Sequence, residues 1–199
     1  MDKVVVLFSG GLDSTVCAEM ARASGRLASL LHLQYGQANA EMEMVTSGAW
    51  ARRHGLDRPL AALPILAREM ATGAGTPGAR YVPGRNLSML AVAANVAASQ
   101  GAREVWIGCN ADDAANYLDC RPAFLAAASA LTEASAGVQV AAPLVGLTKA
   151  GVVARARELG IDIGATWSCY QSATGRPCGT CDACALRKRA LDHAARATT

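Results

Sequence analysis

A stretch rich in serine and glycine, SGGLDS at residues 9–14, directly follows an apolar run at the start of the chain. Gly10 and Gly11 let backbone N–H groups approach anionic oxygens, because no Cβ stands in the way. The hydroxyls of Ser9 and Ser14 add hydrogen-bond donors, and the helix that follows points its positive end at the same place. The stretch therefore predicts a phosphate-binding loop.

The same stretch contains Asp13, a carboxylate that a pure anion site would repel. It fits the site if Mg²⁺ bridges it to the phosphates. Neither the Walker A lysine nor the pattern G-x-G-x-x-G is present. SGGLDS instead resembles the signature of the PP-loop ATP pyrophosphatases, which implies that ATP adenylates an oxygen of the substrate and releases pyrophosphate. The alternative is a plain turn in which Asp13 and Ser14 cap a helix, and five specified positions after a buried strand argue against it.

Four cysteines near the end of the chain follow the spacing C-x₈-C-x₂-C-x₂-C: Cys169, Cys178, Cys181 and Cys184. Four thiolates at this spacing suit a tetrahedral structural zinc ion. An iron–sulfur cluster is the alternative, since C-x₂-C-x₂-C also occurs in ferredoxins. Four protein ligands leave no open coordination position, so we expect a structural site that holds the last helix to the domain.

The elements that position these residues are strands and helices in alternation. Apolar runs predict strands at 4–8, 27–33, 60–63, 104–108 and 138–141. Alternation with helices indicates an α/β fold, with a parallel sheet covered on both faces and ligands beyond the carboxyl ends of its strands. The composition changes after Ala165, so we predict an α/β domain over 1–165 and a cysteine-rich segment over 166–199.

The composition excludes several classes of protein. With 199 residues, 52% hydrophobic and 18% charged, the chain can bury a substantial core and is not disordered. A net charge of +3 without a basic stripe argues against a nucleic-acid partner, and we interpret the basic run at 186–190 as a solvated helix face. No apolar run approaches the roughly 18 residues of a membrane span. We therefore expect a cytoplasmic protein with no membrane partner, whose seven cysteines serve metal binding or catalysis.

Three further segments complete a pattern: YVPGRN at 81–86, NADDAANYLDCRPAF at 110–124 and WSCY at 167–170. Together with SGGLDS and CGTCDACALR, in this order, they resemble the 7-cyano-7-deazaguanine synthases of queuosine biosynthesis. The resemblance covers residues 6 to about 187. It implies a Rossmann-like adenine nucleotide α-hydrolase (PP-loop) sheet with a small C-terminal zinc-binding helical appendage, and a homodimer.

The resemblance also implies a ligase reaction that uses ATP, Mg²⁺ and ammonia. The carboxylate of 7-carboxy-7-deazaguanine is adenylated, ammonia gives the amide, and a second adenylation with loss of water gives the nitrile. Asp119 suits the N1–H and amino edge of the deazaguanine, and Arg121 suits a carboxylate or a phosphate. The alternative for DCRP is a plain helix start with Asp119 near its cap.

Three sets of site residues follow from the resemblance. The catalytic set is Asp13, Ser14, Lys149 and Arg121. The ATP-binding set is Phe8, Ser9, Gly10, Gly11, Leu12, Asp13, Ser14, Thr15, Arg85 and Asn86. The substrate-binding set is Tyr35, Gln37, Asp112, Tyr117, Asp119 and Arg121.

Two positions depart from the family pattern. Asn39 stands where the synthases carry His after YGQ, which removes a proton acceptor or a phosphate contact. Gly151 stands where they carry the Glu of K-x-E, which is the distal half of a capping box worth on the order of 1 kcal/mol. The glycine-rich segment 72–79 is predicted to be a lid over the site.

These departures leave other functions open. One is a synthase-like paralogue that stops at the amide, or joins the activated deazaguanine to an amine of another molecule or protein. Another is a PP-loop enzyme that modifies tRNA, for which Cys109 and Cys120 are the cysteine pair to test. A non-catalytic nucleotide sensor is a further alternative.

Overall fold

The computed structural model describes residues 1–56, 60–62, 82–171 and 175–196. Within them, five parallel strands form one sheet in the spatial order β3-β2-β1-β4-β5. The strands are β1 (Val4–Leu7), β2 (Leu27–Gln34), β3 (Leu60–Ala62), β4 (Glu104–Trp106) and β5 (Gln139–Ala141). The predicted α/β class with a parallel sheet is confirmed. The predicted lid at 72–79 lies outside the described residues.

Among the described residues, helices connect the strands. They are α1 (Leu12–Ala23), α2 (Ala40–Arg53), α3 (Arg85–Ser99), α4 (Ala111–Asn116), α5 (Pro122–Ala136), α6 (Lys149–Glu158) and α7 (Asp182–Arg196), with 3₁₀ turns at Leu118–Cys120 and Ile163–Ala165. The predicted cap of α6 is confirmed, because Thr148 Oγ1 accepts a hydrogen bond from the Gly151 N–H at 3.2 Å. None of the described helices is both long and apolar enough to cross a membrane.

The central strand separates two hydrophobic cores. Val4 and Val6 point to one face and are fully buried with residues of α1 and α6. Val5 and Leu7 point to the other face, where α3 and α5 pack. Because helices cover both faces, β1 is apolar throughout and shows no polar alternation. The C-terminal helix α7 joins the first core through Ala190 and Ala194.

The order of the strands creates a crevice at the carboxyl ends of the central strands. The chain runs outward from β1 to β2 and β3, and then returns to place β4 on the other side of β1. The loops that follow β1 and β4 therefore turn in opposite directions at their carboxyl ends. This is the topological switch point at which open α/β sheets bind ligands. SGGLDS follows β1 and the CNADD segment (109–113) follows β4, so both lie at this crevice.

Candidate functional site

The SGGLDS loop joins β1 to the N-terminus of α1. Gly10 has a φ of +76°, and a Cβ there would lie 2.5 Å from Thr46 Oγ1, so only glycine fits. The hydroxyl oxygens of Ser9 and Ser14 lie 3.3 Å apart at the start of the helix. The backbone conformation and the two hydroxyl donors that a phosphate loop needs are thus present together.

The carboxylate of Asp13 lies in a charged cluster at the crevice. Lys149 Nζ donates a hydrogen bond to Oδ2, and Asn110 Nδ2 donates to Oδ1 at 3.0 Å. Lys149 is only 8% exposed, so Asp13 supplies the counter-charge that a buried ammonium group needs. The structure therefore brings together two of the residues predicted to be catalytic, which stand 136 positions apart in the chain.

The acidic segment after β4 joins this cluster. The Asn110 side chain caps α4 by accepting hydrogen bonds from the backbone N–H groups of Asp112 and Asp113. Asp112 Oδ2 accepts a hydrogen bond from the Lys149 backbone N–H at 2.7 Å and so holds the first residue of α6. Burial, followed by the charge of Asp13, raises the pKa of Asp113 to about 6. The sequence did not predict α4, because a helix of six residues shows no apolar repeat.

Asp119 lies in the 3₁₀ turn before α5 and is 4% exposed. Asn86 Nδ2 donates to its backbone carbonyl at 2.9 Å, and the Asn86 backbone N–H donates to Oδ2 at 3.4 Å. Its other carboxylate oxygen, Oδ1, is buried without a hydrogen-bond partner among the described residues. An unpaired buried acceptor is energetically unfavourable, so this oxygen is the one in the turn that still needs a hydrogen-bond donor, from water or from a ligand. Arg121, not Asp119, occupies the N-cap position of α5.

Arg85 and Tyr35 form a second part of the crevice. The guanidinium carbon of Arg85 lies 5.8 Å from the centroid of the Tyr35 ring, and Nη1 donates to the Tyr35 hydroxyl at 3.3 Å. Arg85 also interacts electrostatically with Asp119. A cation fixed on an aromatic ring beside a carboxylate is preorganised for a polar ligand.

The remaining predicted substrate residues have other surroundings. Tyr117 is half-buried at the edge of the second core, and burial raises its pKa. Arg121 is exposed, and its Nε donates to the Ala114 carbonyl at 3.3 Å. Gln37 is 9% exposed, and its Oε1 accepts from the Tyr35 backbone N–H at 2.9 Å. The polar atoms of Gln37 thus hydrogen-bond within the protein.

The four predicted metal ligands cluster in space. The Sγ atoms of Cys169, Cys178, Cys181 and Cys184 all lie within 4.8 Å of one another. This separation suits four thiolates around one ion, and a set of four sulfurs is typical of zinc or an iron–sulfur centre. The predicted metal-binding cluster is thus supported, whereas the identity of its metal stays a prediction.

The segment before this cluster contacts the SGGLDS loop directly. The Trp167 backbone N–H donates to the Gly10 carbonyl at 3.0 Å. Arg187 holds the same segment, because its Nη1 donates to Thr166 Oγ1 at 2.8 Å and to Ser168 Oγ at 3.0 Å. The predicted solvated face of 186–190 is therefore wrong for Arg187, which is half-buried. Its helical spacing from Ala190 and Ala194, which enter the core, was the available signal.

The cysteine pair considered for a tRNA-modifying enzyme is buried. Cys109 is 3% exposed and Cys120 is 6% exposed. A hydrogen bond with Cys120, and then burial, raises the pKa of the Cys109 thiol. A thiol of this kind has little thiolate at neutral pH and is a weak nucleophile.

Gly108 is a site residue that the sequence did not indicate. A Cβ at this position would lie 3.0 Å from Asp13 C and 3.0 Å from Ser14 N, so the loop would have to move. We expect Gly108→Ala to lower the free energy of unfolding by about 1–3 kcal/mol and ATP affinity by about tenfold, because overpacking displaces backbone. Thermal unfolding and equilibrium dialysis with ATP measure both effects.

Gly146→Ala is the matched control, since a Cβ there meets no described atom within 4 Å. Equal ATP affinity in the two variants would contradict the close approach of Gly108 to the loop.

Comparison with known proteins gives a consistent result. The family model described as queuosine biosynthesis protein QueC matches residues 3–195. The chain is 39% identical over 222 residues to the 7-cyano-7-deazaguanine synthase of Anaeromyxobacter sp. strain Fw109-5, covering 96% of this chain and 92% of that protein. It is also 39% identical over 215 residues to the synthase of Aromatoleum aromaticum, covering 96% and 94%.

Solved structures share the fold at low identity. The U34-tRNA thiolase NcsA from Methanococcus maripaludis, solved with its 4Fe–4S cluster, aligns with a TM-score of 0.58 at 16% identity, covering 98% of this chain and 66% of that chain. NMN synthetase from Francisella tularensis aligns with a TM-score of 0.53 at 16% identity, covering 96% and 77%. At this identity the two alignments support the predicted fold and do not bear on the substrate.

Proposed function

Because the chain belongs to the family of queuosine biosynthesis protein QueC, we propose that it is an ATP-dependent ligase that converts 7-carboxy-7-deazaguanine to 7-cyano-7-deazaguanine. The observation that carries the proposal is the match to named synthases over 96% of the chain. The match to the family model, over residues 3–195, spans the SGGLDS loop, the 110–124 segment and the cysteine cluster.

The loop and its charged cluster are suited to the adenylation of a carboxylate. SGGLDS binds the phosphates through backbone N–H groups and the hydroxyls of Ser9 and Ser14. Asp13 would hold Mg²⁺ together with the phosphates, and one protein carboxylate plus substrate oxygens is the usual donor set for this ion, which supplies charge neutralisation when bound. Lys149, already beside Asp13, stabilises the negative charge that develops at the phosphates. We also propose that ATP contacts five further residues of the crevice: Phe8, Leu12, Thr15, Arg85 and Asn86.

Asp119 recognises the deazaguanine in this proposal. Its buried Oδ1 accepts a hydrogen bond from the ring N1–H or the amino group, and Asn86 keeps the carboxylate in position. Tyr35 and Tyr117 border the ring, and Arg85 and Arg121 bind the anionic groups. Leaving Asp119 Oδ1 unpaired would be unfavourable, so an analogue without that donor is rejected.

The reaction then follows from the properties of a carboxylate. The substrate carboxylate attacks the α-phosphate, pyrophosphate leaves, and the acyl carbon now carries AMP as a leaving group. Ammonia forms a C–N bond to that carbon, and AMP departs with the electrons of the broken C–O bond. A second adenylation on the amide oxygen, followed by loss of AMP and protons, gives the nitrile.

Other features complete the proposal. Zinc occupies the four-cysteine cluster as a structural ion, since four thiolates close its shell. The cytoplasm, which keeps thiols reduced, is the compartment that suits this cluster. A homodimer is part of the proposal as well, and we assign its interface to the apolar groove of about 430 Å³ between α3 and α5, where Leu87 is 42% exposed and Leu131 is 58% exposed.

One experiment tests the function. The protein is incubated with ATP, Mg²⁺, 7-carboxy-7-deazaguanine and ammonium, and the products are identified by mass spectrometry, with a control that lacks the carboxylate. Nitrile together with AMP supports the proposal. Amide alone, or mass added to a second molecule, supports the paralogue. AMP formed with tRNA in place of the carboxylate supports the tRNA-modifying alternative, and no AMP in any mixture contradicts all three.

A further inference from the structure

Glu43 was not predicted to be a site residue, yet its carboxylate is held at the carboxyl end of β2. Gln37 Nε2 donates to Oε2 at 2.9 Å, and Asn39 Nδ2 donates to Oε1 at 3.0 Å. Asn39 is 5% exposed and Gln37 is 9% exposed, so the two amides that hold the carboxylate are themselves buried. Gln37 is fixed further by the Tyr35 backbone N–H. Both oxygens of Glu43 therefore have a defined orientation.

The groups that face Glu43 connect it to the candidate site. They are the amides of Gln37 and Asn39 from the loop between β2 and α2, Tyr35 from the end of β2, and Arg85 from the start of α3. The charge of Arg85 also acts on Asp119, so both carboxylates lie within electrostatic reach of one guanidinium. Burial raises the pKa of Glu43 to about 7, and the amide hydrogen bonds and the charge of Arg85 limit the rise.

Amination of an acyl adenylate needs a proton acceptor. Ammonium is the main form of ammonia at neutral pH, and it has no free electron pair until it loses a proton. An acceptor works best when its pKa lies near the working pH. Asn39, the neighbouring buried amide, cannot take this role, because an amide does not accept a proton at neutral pH.

We propose that Glu43 is the catalytic proton acceptor of the amination step, and that Gln37 and Asn39 are positioning residues that orient its carboxylate. This assignment rests on the proposed function. In it, ammonium transfers one proton to the Glu43 carboxylate, and the freed electron pair forms the C–N bond to the acyl carbon. The C–O bond to AMP breaks, AMP leaves with the electron pair of that broken bond, and the nitrogen releases its second proton to water. Glu43 then returns its own proton to solvent.

The test separates adenylation from amination. Adenylation is measured as carboxylate-dependent exchange of labelled pyrophosphate into ATP, and amination as the rate of amide formation. We expect Glu43→Gln to leave exchange within about twofold of the unmodified protein and to lower amide formation from ammonium by about 10²-fold. With hydroxylamine, which is uncharged at neutral pH, the loss should be below about threefold. Glu41→Gln, an exposed glutamate of the same helix turn, is the matched control.

The pH profile gives an independent readout. Below pH 7 the Glu43 carboxyl is protonated and cannot accept a proton, so amination at fixed total ammonium should rise through about pH 7 and then level off. In Glu43→Gln the rate should keep rising with pH, because it depends on ammonia already free in solution. Asn39→Ala removes a donor to the carboxylate and should move the midpoint of the profile to higher pH.

Three results would overturn the assignment. They are amination by Glu43→Gln at the rate of the unmodified protein, equal losses with ammonium and hydroxylamine, and a loss of pyrophosphate exchange in the variant. Absence of carboxylate-dependent exchange in the unmodified protein would instead overturn the proposed function, and this assignment with it.

Discussion

Asp13→Asn is expected to lower the rate of carboxylate-dependent AMP formation by at least about 10²- to 10³-fold. The substitution keeps the size of the side chain but removes the charge that would hold Mg²⁺ at the ATP loop. It also leaves the ammonium group of Lys149 without its counter-charge at a position that is 8% exposed. Breaking such a pair lowers the free energy of unfolding by about 3 kcal/mol, so stability and activity must be measured separately.

The double variant Asp13→Asn with Lys149→Met makes that separation. Removing the stranded ammonium group should recover most of the lost stability, as seen by thermal unfolding. AMP formation should stay at or below the rate of Asp13→Asn, because Lys149 also acts on the phosphates. Asp192→Asn is the matched control, because its ion pair with Lys188 is exposed and contributes less than about 1 kcal/mol. AMP formation by Asp13→Asn at the control's rate would refute the role of this carboxylate.

Loss of the metal cluster is the second large effect. Cys181→Ser removes a buried ligand, so we expect the bound metal to be lost and the free energy of unfolding to fall by several kcal/mol, which for a chain of this size lowers Tm by about 10 °C. ATP affinity should fall by about tenfold as well, because the Trp167 N–H that fixes the Gly10 carbonyl lies on the segment leading into the cluster. Metal analysis, thermal unfolding and ATP titration measure the three effects.

Arg187→Met tests the connection without removing a ligand. The variant should keep its metal and lose ATP affinity, because Arg187 holds the Thr166 and Ser168 side chains on either side of Trp167. Lys188→Met changes the same charge at an exposed neighbouring position and should leave both properties unchanged. Unchanged ATP affinity in both Cys181→Ser and Arg187→Met would contradict the connection, and iron with sulfide in place of zinc would overturn the assigned metal.

Several features were predictable because they depend on residues close together in the chain. The glycine conformation of SGGLDS, the Thr148 cap and the four-cysteine cluster each arise within a few turns of backbone. The strand β1 was predictable too, because a strand that helices cover on both faces is a continuous apolar run. Arg187, the second residue of the 186–190 run, was misjudged for the opposite reason, since its burial depends on which face of α7 meets the domain.

The sequence by itself determined the kind of chemistry, because residue types and their spacing specify a loop that binds phosphate and a set of thiolates that binds metal. Only the tertiary structure decided which distant side chains complete the site. Asn110 and Lys149 reach Asp13 from 97 and 136 positions away, because the sheet places β4 beside β1 and the chain enters α6 at the same edge. Glu43 and Arg187 gain their contacts in the same way, since burial and partner choice are properties of the packed chain and not of local spacing.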